Sequence, residues 1–266
     1  MNAGSAFGWI AGPLAGGLIY DRWGYSAALT VSILIAVITL LVALWGIPDS
    51  PSSPRSAAGE HGPRPSLRAS LPASLSSFWT LLSIFFAVLF AWAFIEPRFM
   101  FYAYNDLGWS SSMLGLVMST YGVAMMFGEV AFGQLSDRGG RRPGILLGLG
   151  LFSAQFLGLA LFRNHLLIVA AFVIAGLGNA LYDPALSAAI LDISPAEHHS
   201  RILGIKGMAG STGSILGPAL VALLNASVEA RGIFLMATGI VLLALVSGLA
   251  LPWRNARAQV VPARSD

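Results

Sequence analysis

Cysteine is missing from this chain of 266 residues, which excludes disulfides, thiolate metal ligands and a cysteine nucleophile. Charge is nearly as scarce. Asp, Glu, Lys and Arg together make up 10% of the residues, where a soluble domain uses about 25% to cover its surface. Hydrophobic residues make up 56% and the mean hydropathy is +0.75, so the chain is built for lipid. The net charge of +3 says little, since what matters in a membrane protein is where the charges fall, and no nucleic-acid partner is implied. Four histidines, His61, His165, His198 and His199, fall between apolar runs and form no H-E-x-x-H pattern; His198-His199 has no further ligand nearby, so neither a metal site nor an integral-membrane enzyme is indicated.

Long apolar runs take the place of the missing charge. Eight are visible, with limits near Ser5 to Tyr20, Ala27 to Trp45, Phe78 to Tyr104, Ser111 to Phe132, Pro143 to Phe162, Leu166 to Ile193, Ser200 to Leu224 and Ile233 to Trp253. Most reach the roughly 20 residues that carry a helix across about 30 Å of hydrocarbon. They are continuous, not alternating, and lipid offers no partner to an unpaired backbone group, so helices are expected and barrel strands are not. The predicted fold is all-α and polytopic, with about eight transmembrane helices. The first run lacks a basic leader and is rich in glycine, unlike a cleavable signal peptide.

Residues 47–77 differ in kind, with Pro48, Pro51, Pro54, Pro63, Pro65 and Pro72 among serines and scattered charges. They read as a cytoplasmic linker between two helices (1–46) and six (78–253), followed by a tail at 254–266. Lys and Arg set the orientation. Setting aside Arg98, one face carries eleven (Arg55, Arg64, Arg68, Arg138, Arg141, Arg142, Arg201, Lys206, Arg254, Arg257, Arg264) and the other three (Arg22, Arg163, Arg231), so the first face and both termini are expected in the cytoplasm. Trp23, Trp45, Trp79, Trp109 and Trp253 lie at run ends, where an amphipathic ring prefers the headgroup layer.

Two motifs stand out against this background. Gly133-Gln-Leu-Ser-Asp137-Arg138-Gly-Gly140-Arg141-Arg142-Pro143 packs dense charge into one short connection between spans. The first run carries Gly8, Gly12, Pro13, Gly16 and Gly17, and the seventh carries Gly204, Gly213, Gly217 and Pro218, a repeated glycine spacing with a shared Gly-Pro ending. Glycines four apart line one helical face and let backbones approach, and the proline is expected to bend the helix.

On these residues the chain resembles the major facilitator superfamily, and within it the drug/proton antiporter branch. Gly133 to Pro143 is similar to the superfamily's loop G-x-L-x-D-R-x-G-R-R-P at every specified position, and the two glycine runs resemble the antiporter motif and its counterpart, the latter with Val221 and Ala222 where the motif closes on glycines. The resemblance implies two six-helix halves around a central cytoplasmic loop. The chain then corresponds to the last eight of twelve helices, an arrangement not expected to form an alternating-access cavity alone. It also implies a secondary transporter of the cell membrane, driven by a proton gradient without a cofactor, that exports small lipophilic or cationic molecules and needs no oligomer. An uptake carrier, or a non-transporting fragment or partner subunit, is the alternative.

Two groups of residues carry this expectation. Asp137 can accept hydrogen bonds at a neighbouring helix start, near Ser200, and Asp192 can pair with Arg141. The resemblance implies that Gly133, Asp137, Arg138, Gly140, Arg141, Arg142, Asp192 and Glu129 form a conformational latch; a static topology anchor is the other reading. The second group is the ionisable side chains inside the spans, Glu96, Arg98 and Asp183, since such groups are costly in lipid and mark substrate or proton pathways. Glu96 and Asp183 each precede a proline, where a helix tends to break. At about 1.5 Å per residue Glu96 falls some 27 Å past Phe78, toward the outer side, and Asp183 about 25 Å inward of Leu166. Arg98 either tunes Glu96 or simply pairs with it, while no basic residue is near Asp183 in sequence. Trp92, Tyr102, Tyr121, Met125, Met126 and Tyr182 could line an apolar pocket for flat cations, or serve packing alone.

Lack of cysteine makes sidedness easy to read. A chain carrying Arg141→Cys as its sole thiol is expected to resist a membrane-impermeant maleimide on intact cells and to react once the membrane is opened. Labelling from outside would reverse the orientation.

Overall fold

The computed structural model describes residues 3–46, 72, 74–224 and 227–251, and side chains outside 3–6, 46 and 133–139. The described residues are helical, with no strand among them. The elements are α1 (Ala3–Gly46), α2 (Leu75–Phe101) continued by a π turn (Tyr102–Asp106), α3 (Ser111–Gly139), α4 (Arg141–Phe152), α5 (Ala154–Leu161), α6 (His165–Asp192), a 3₁₀ turn (Ala196–His198), α7 (His199–Leu224) and α8 (Ala230–Leu249). Seven helical stretches among the described residues are long and apolar enough to cross a membrane.

The count of seven against eight runs has a local cause. The first two runs are two helices that meet at a kink within α1, whose 44 residues would measure about 66 Å if straight, more than twice the hydrocarbon thickness. Gly24 interrupts it with φ 78° and ψ −177°, values available to glycine because it has no Cβ. A second glycine in the same φ range, Gly140 (φ 86°), separates α3 from α4. The fifth run divides at Ser153 into α4 and α5, its hydroxyl donating to the Gly150 carbonyl at 2.7 Å. Helix starts are capped from the sequence: Ser110 Oγ accepts from Met113 N at 3.2 Å and Asn164 Oδ1 from Leu166 N at 2.9 Å. His165 and His199 are the first residues of α6 and α7, so they begin helices instead of sitting in open loops. The linker assigned to 47–77 falls largely, and the tail at 254–266 wholly, outside the described residues.

The expected breaks at proline do not occur. α2 runs through Pro97 and α6 through Pro184, while α1 and α7 continue past Pro13 and Pro218. One missing donor per helix is tolerated when the rest of the ladder and nearby hydroxyls hold the backbone. Just past Pro184 the Ser187 hydroxyl adds a second donor to the Asp183 carbonyl at 2.8 Å, the usual back-bond of a helical serine.

Lipid tails are as apolar as leucine, so helices associate by close packing, and glycine supplies the closeness. A Cβ on Gly148 of α4 would sit 2.7 Å from the Gly178 carbonyl of α6, and one on Gly178 equally close to the Gly148 carbonyl. On α7, Gly213 and Gly217 press on the backbone of α2 at Phe86, Phe90 and Phe94, whose rings stack in a ladder at 5.8 Å spacing. The buried core runs from Phe78 and Ile84 through Phe99, Phe156 and Phe172 to Phe234. Residues beyond Gly24 differ: Leu29, Ile33, Ile35, Leu40, Leu44 and Trp45 all face outward.

The glycine ladder in α1 is only partly used. A Cβ on Gly8, Gly12 or Gly16 meets nothing within 4 Å, whereas one on Gly17 would collide with the Ser111 carbonyl and one on Gly115 of α3 with the Pro13 carbonyl. The face that packs is thus offset by one residue from the four-residue spacing, toward α3. Gly204 is likewise open, while Gly213 and Gly217 are engaged. A substitution pair separates the two kinds of position: Gly115→Val should lower stability by about 1–3 kcal/mol, and Gly12→Ala should be neutral, both read by thermal melting in detergent.

Candidate functional site

The densest polar cluster inside the spans lies on α6, where Asn179, Asp183 and Ser187 are spaced four apart and so share one helical face. Lys206 of α7 reaches it. Its ammonium donates to Asp183 Oδ1 at 2.7 Å and to Ser187 Oγ at 2.5 Å, and lies 4.2 Å from the centre of the Phe85 ring on α2. One turn earlier, Asn179 Nδ2 donates to the Tyr121 hydroxyl of α3 at 2.5 Å, and Tyr121 stacks on Trp92 at 6.0 Å. Four helices therefore meet at this point. The two partners differ in access: the Lys206 side chain is 10% exposed and that of Asp183 44%. Counting from the ends of α6 and α7, both lie about 10–14 Å inside the membrane face that carries the α3–α4 hairpin.

Lys206 corrects two expectations. It is not a surface charge facing the cytoplasm, because it is buried in the bundle against Phe85. Nor does Asp183 lack a basic neighbour; the partner is 23 residues away in sequence and adjacent in space. The signals that could have revealed it are the polar stripe at 179, 183 and 187 and a lysine seven residues inside a span.

Glu96 sits elsewhere. It lines a cavity of about 380 Å³ between α1, α2 and α3, with Trp9, Tyr20, Trp92 and Tyr104 as aromatic walls and Met100 and Met118 between them. Arg98 is not among the lining residues. Of the other aromatic candidates, Tyr102 packs edge-on against Phe234 and Tyr182 against Phe152, both in the core. Met125 is buried and Met126 half-buried.

At the hairpin, Arg141 Nε bonds Asp192 Oδ2 at 3.2 Å, joining the start of α4 to the end of α6. Arg142 is exposed, Glu129 is half-buried on α3, and the side chains of Gly133, Asp137 and Arg138 lie outside the described residues. The opposite end carries a contact that no motif announced. Asp21 accepts from the N–H groups of Ser111 at 3.1 Å and Ser112 at 2.7 Å. With Ser110 bonded to Met113 N, three free donors at the start of α3 are satisfied, two of them from 90 residues away. The carboxylate also sits at the positive end of the helix dipole. Ser119 extends the seam by donating to the Ile10 carbonyl at 2.5 Å. Among the described residues no group of His, Asp or Glu is arranged to hold a metal ion.

The described residues thus form a multi-pass helical bundle with an ion pair inside its spans and an aromatic, carboxylate-bearing cavity, and ionisable groups at such depth mark substrate or ion pathways in membrane proteins. The family model of the Major Facilitator Superfamily matches residues 81–265, and the chain belongs to that superfamily. It is 25% identical over 256 residues to the multidrug resistance protein MdtG of Proteus mirabilis, covering 92% of this chain and 61% of that protein. It is 31% identical over 161 residues to the uncharacterized MFS-type transporter YhjO of Bacillus subtilis (60% and 40%), and 30% identical over 147 residues to the quinolone resistance protein NorA of Staphylococcus aureus (55% and 38%). The crystal structure of peptide transporter POT in complex with sulfate shares the fold with a TM-score of 0.59, at 23% identity over 68% of this chain and 40% of that one. The chain thus spans less than two thirds of the length of these proteins.

The cap at Asp21 has a measurable consequence. Asp21→Ala should raise hydrogen exchange at the amides of Ser111 and Ser112 about tenfold, the usual size of a lost helix cap, while exchange at α8 stays unchanged.

Proposed function

We propose that this chain belongs to a proton-coupled efflux carrier for small lipophilic cations, working by alternating access, and that Asp183 is its proton- or cation-responsive group. The observation that carries this reading is the ion pair of Asp183 with Lys206 among four helices of the membrane bundle. A carboxylate there is costly to keep and so is rarely held without a role. Taking up a proton from one side, Asp183 would lose its hold on Lys206; releasing it to the other side would restore the pair. The exposed half of its carboxylate leaves a path for that exchange.

The cavity at Glu96 suits the proposed cargo. Flat aromatic walls with a single carboxylate match a lipophilic cation, since ring faces and an anion both attract positive charge. Its seating between α1 and the six helices that follow the linker suits a step in which those parts separate. The names of MdtG and NorA support efflux over uptake, and transport over catalysis. Arg141 with Asp192 would act as a latch at the hairpin end, which is taken as cytoplasmic along with both termini, and the Asp21 cap would hold the opposite end closed. Glu129, Asp137, Arg138 and Arg142 belong to the same proposed latch. A membrane and a small-molecule substrate are the partners required; a gradient, not a cofactor, supplies the energy.

Two substitutions in the complete transporter test the assignment. Asp183→Asn is expected to abolish export driven by a pH gradient while leaving the protein in the membrane, and Glu96→Gln to weaken export of aromatic cations about tenfold or more, both followed by fluorescent-dye efflux in proteoliposomes. Unchanged gradient-driven export with Asp183→Asn refutes the proposal.

A further inference from the structure

The surroundings of the Lys206 head are those of an ammonium-binding site. A carboxylate oxygen at 2.7 Å, a hydroxyl at 2.5 Å and the face of an aromatic ring at 4.2 Å are three kinds of group that an alkylammonium ion seeks when it leaves water. Each comes from scaffold other than Lys206 itself: Asp183 and Ser187 from α6, Phe85 from α2. The site would therefore persist without the lysine. Its backbone is well supported, because Gly210, one turn beyond Lys206, lies directly against the Phe85 ring, and Phe85 packs on the buried core.

We infer that Asp183, Ser187 and Phe85 form a site for primary ammonium ions that Lys206 occupies as a tethered internal ligand. The assignment deepens the cation-responsive role proposed for Asp183 and rests on it for its use in transport, though not for the binding itself. Lys206 is held at high effective concentration by its own helix, so a free amine competes poorly while the lysine is present. A substrate cation reaches the Asp183 carboxylate only when the lysine head swings away. The site then favours an unbranched ammonium head, which can donate to carboxylate and hydroxyl together, over a quaternary ammonium, which has no N–H to donate. Lys206 in this sense sets specificity by being the competitor that any cargo must displace.

Truncation exposes the site. Lys206→Ala removes three methylenes and the ammonium, the outline of propylammonium, and the test is thermal melting of the full chain in detergent with propylammonium chloride. Lys206→Ala should be stabilised by roughly 2–5 °C at ten times the dissociation constant. The parent chain should show no such shift, nor should Lys206→Met, which fills the space without charge. The Lys206→Ala, Asp183→Asn double variant should lose the response, and tetramethylammonium or propanol should not replace the amine. An equal response of the parent and Lys206→Ala overturns the inference, as does none in Lys206→Ala. Should Lys206→Ala fail to fold, recovery of a monodisperse gel-filtration peak with propylammonium present during solubilisation takes the place of the melting shift, and lack of recovery overturns the inference. A failed transport assay with an intact amine shift rejects the proposed function alone.

Discussion

In hydrocarbon every backbone N–H and C=O must find its partner inside the protein, and each charge must find a counter-charge or a wet cavity. Most features of this chain answer that constraint. The backbone answers it with helices that run on through four prolines, since one missing donor costs less than opening several groups to lipid. Side chains answer it by pairing: Lys206 has a carboxylate, a hydroxyl and a ring face, and the start of α3 has Asp21. Helix association is left to contact alone, so glycines set the spacing between α4 and α6, α2 and α7, and α1 and α3.

These three contacts differ in what they can tolerate. The α4–α6 and α2–α7 seams are glycine against backbone and belong to a packed core. The α1–α3 seam is different because it joins residues on either side of the 47–77 stretch, with a carboxylate cap at one end and an aromatic cavity alongside. Its close approaches are made at Gly17, Gly115 and Gly122, beside the hydrogen bonds to Asp21 and from Ser119.

Much of this was legible in the residues. From the third onward, the apolar runs located the helices within a few residues, because a bilayer of nearly constant thickness imposes a length on every span. The loop from Gly133 to Pro143 identified the superfamily to which the matched residues 81–265 belong. The pairing of Arg141 with Asp192 was also anticipated, and the structure places them 3.2 Å apart. Depth within a helix was harder to read. Lys206 lay close enough to a run's start to pass for a loop residue, and Pro97 and Pro184 looked like breaks when they are not. Asp21 carried no motif, so its reach to Ser112 could not be foreseen from spacing.

Hydropathy and length act along one dimension and are enough to mark a helical membrane protein, while the loop motif and the match over residues 81–265 place it in the Major Facilitator Superfamily. Which charge meets which is a matter of three dimensions. Asp183 and Lys206 sit on separate helices, as do Glu96 and the walls Trp9 and Tyr20, and only the rotation and height at which those helices pack bring them together. Rotation is decided by which glycine face finds a neighbour, Gly17 and not Gly16, and a repeat of four residues in sequence is silent on that choice until the partner helix is in place.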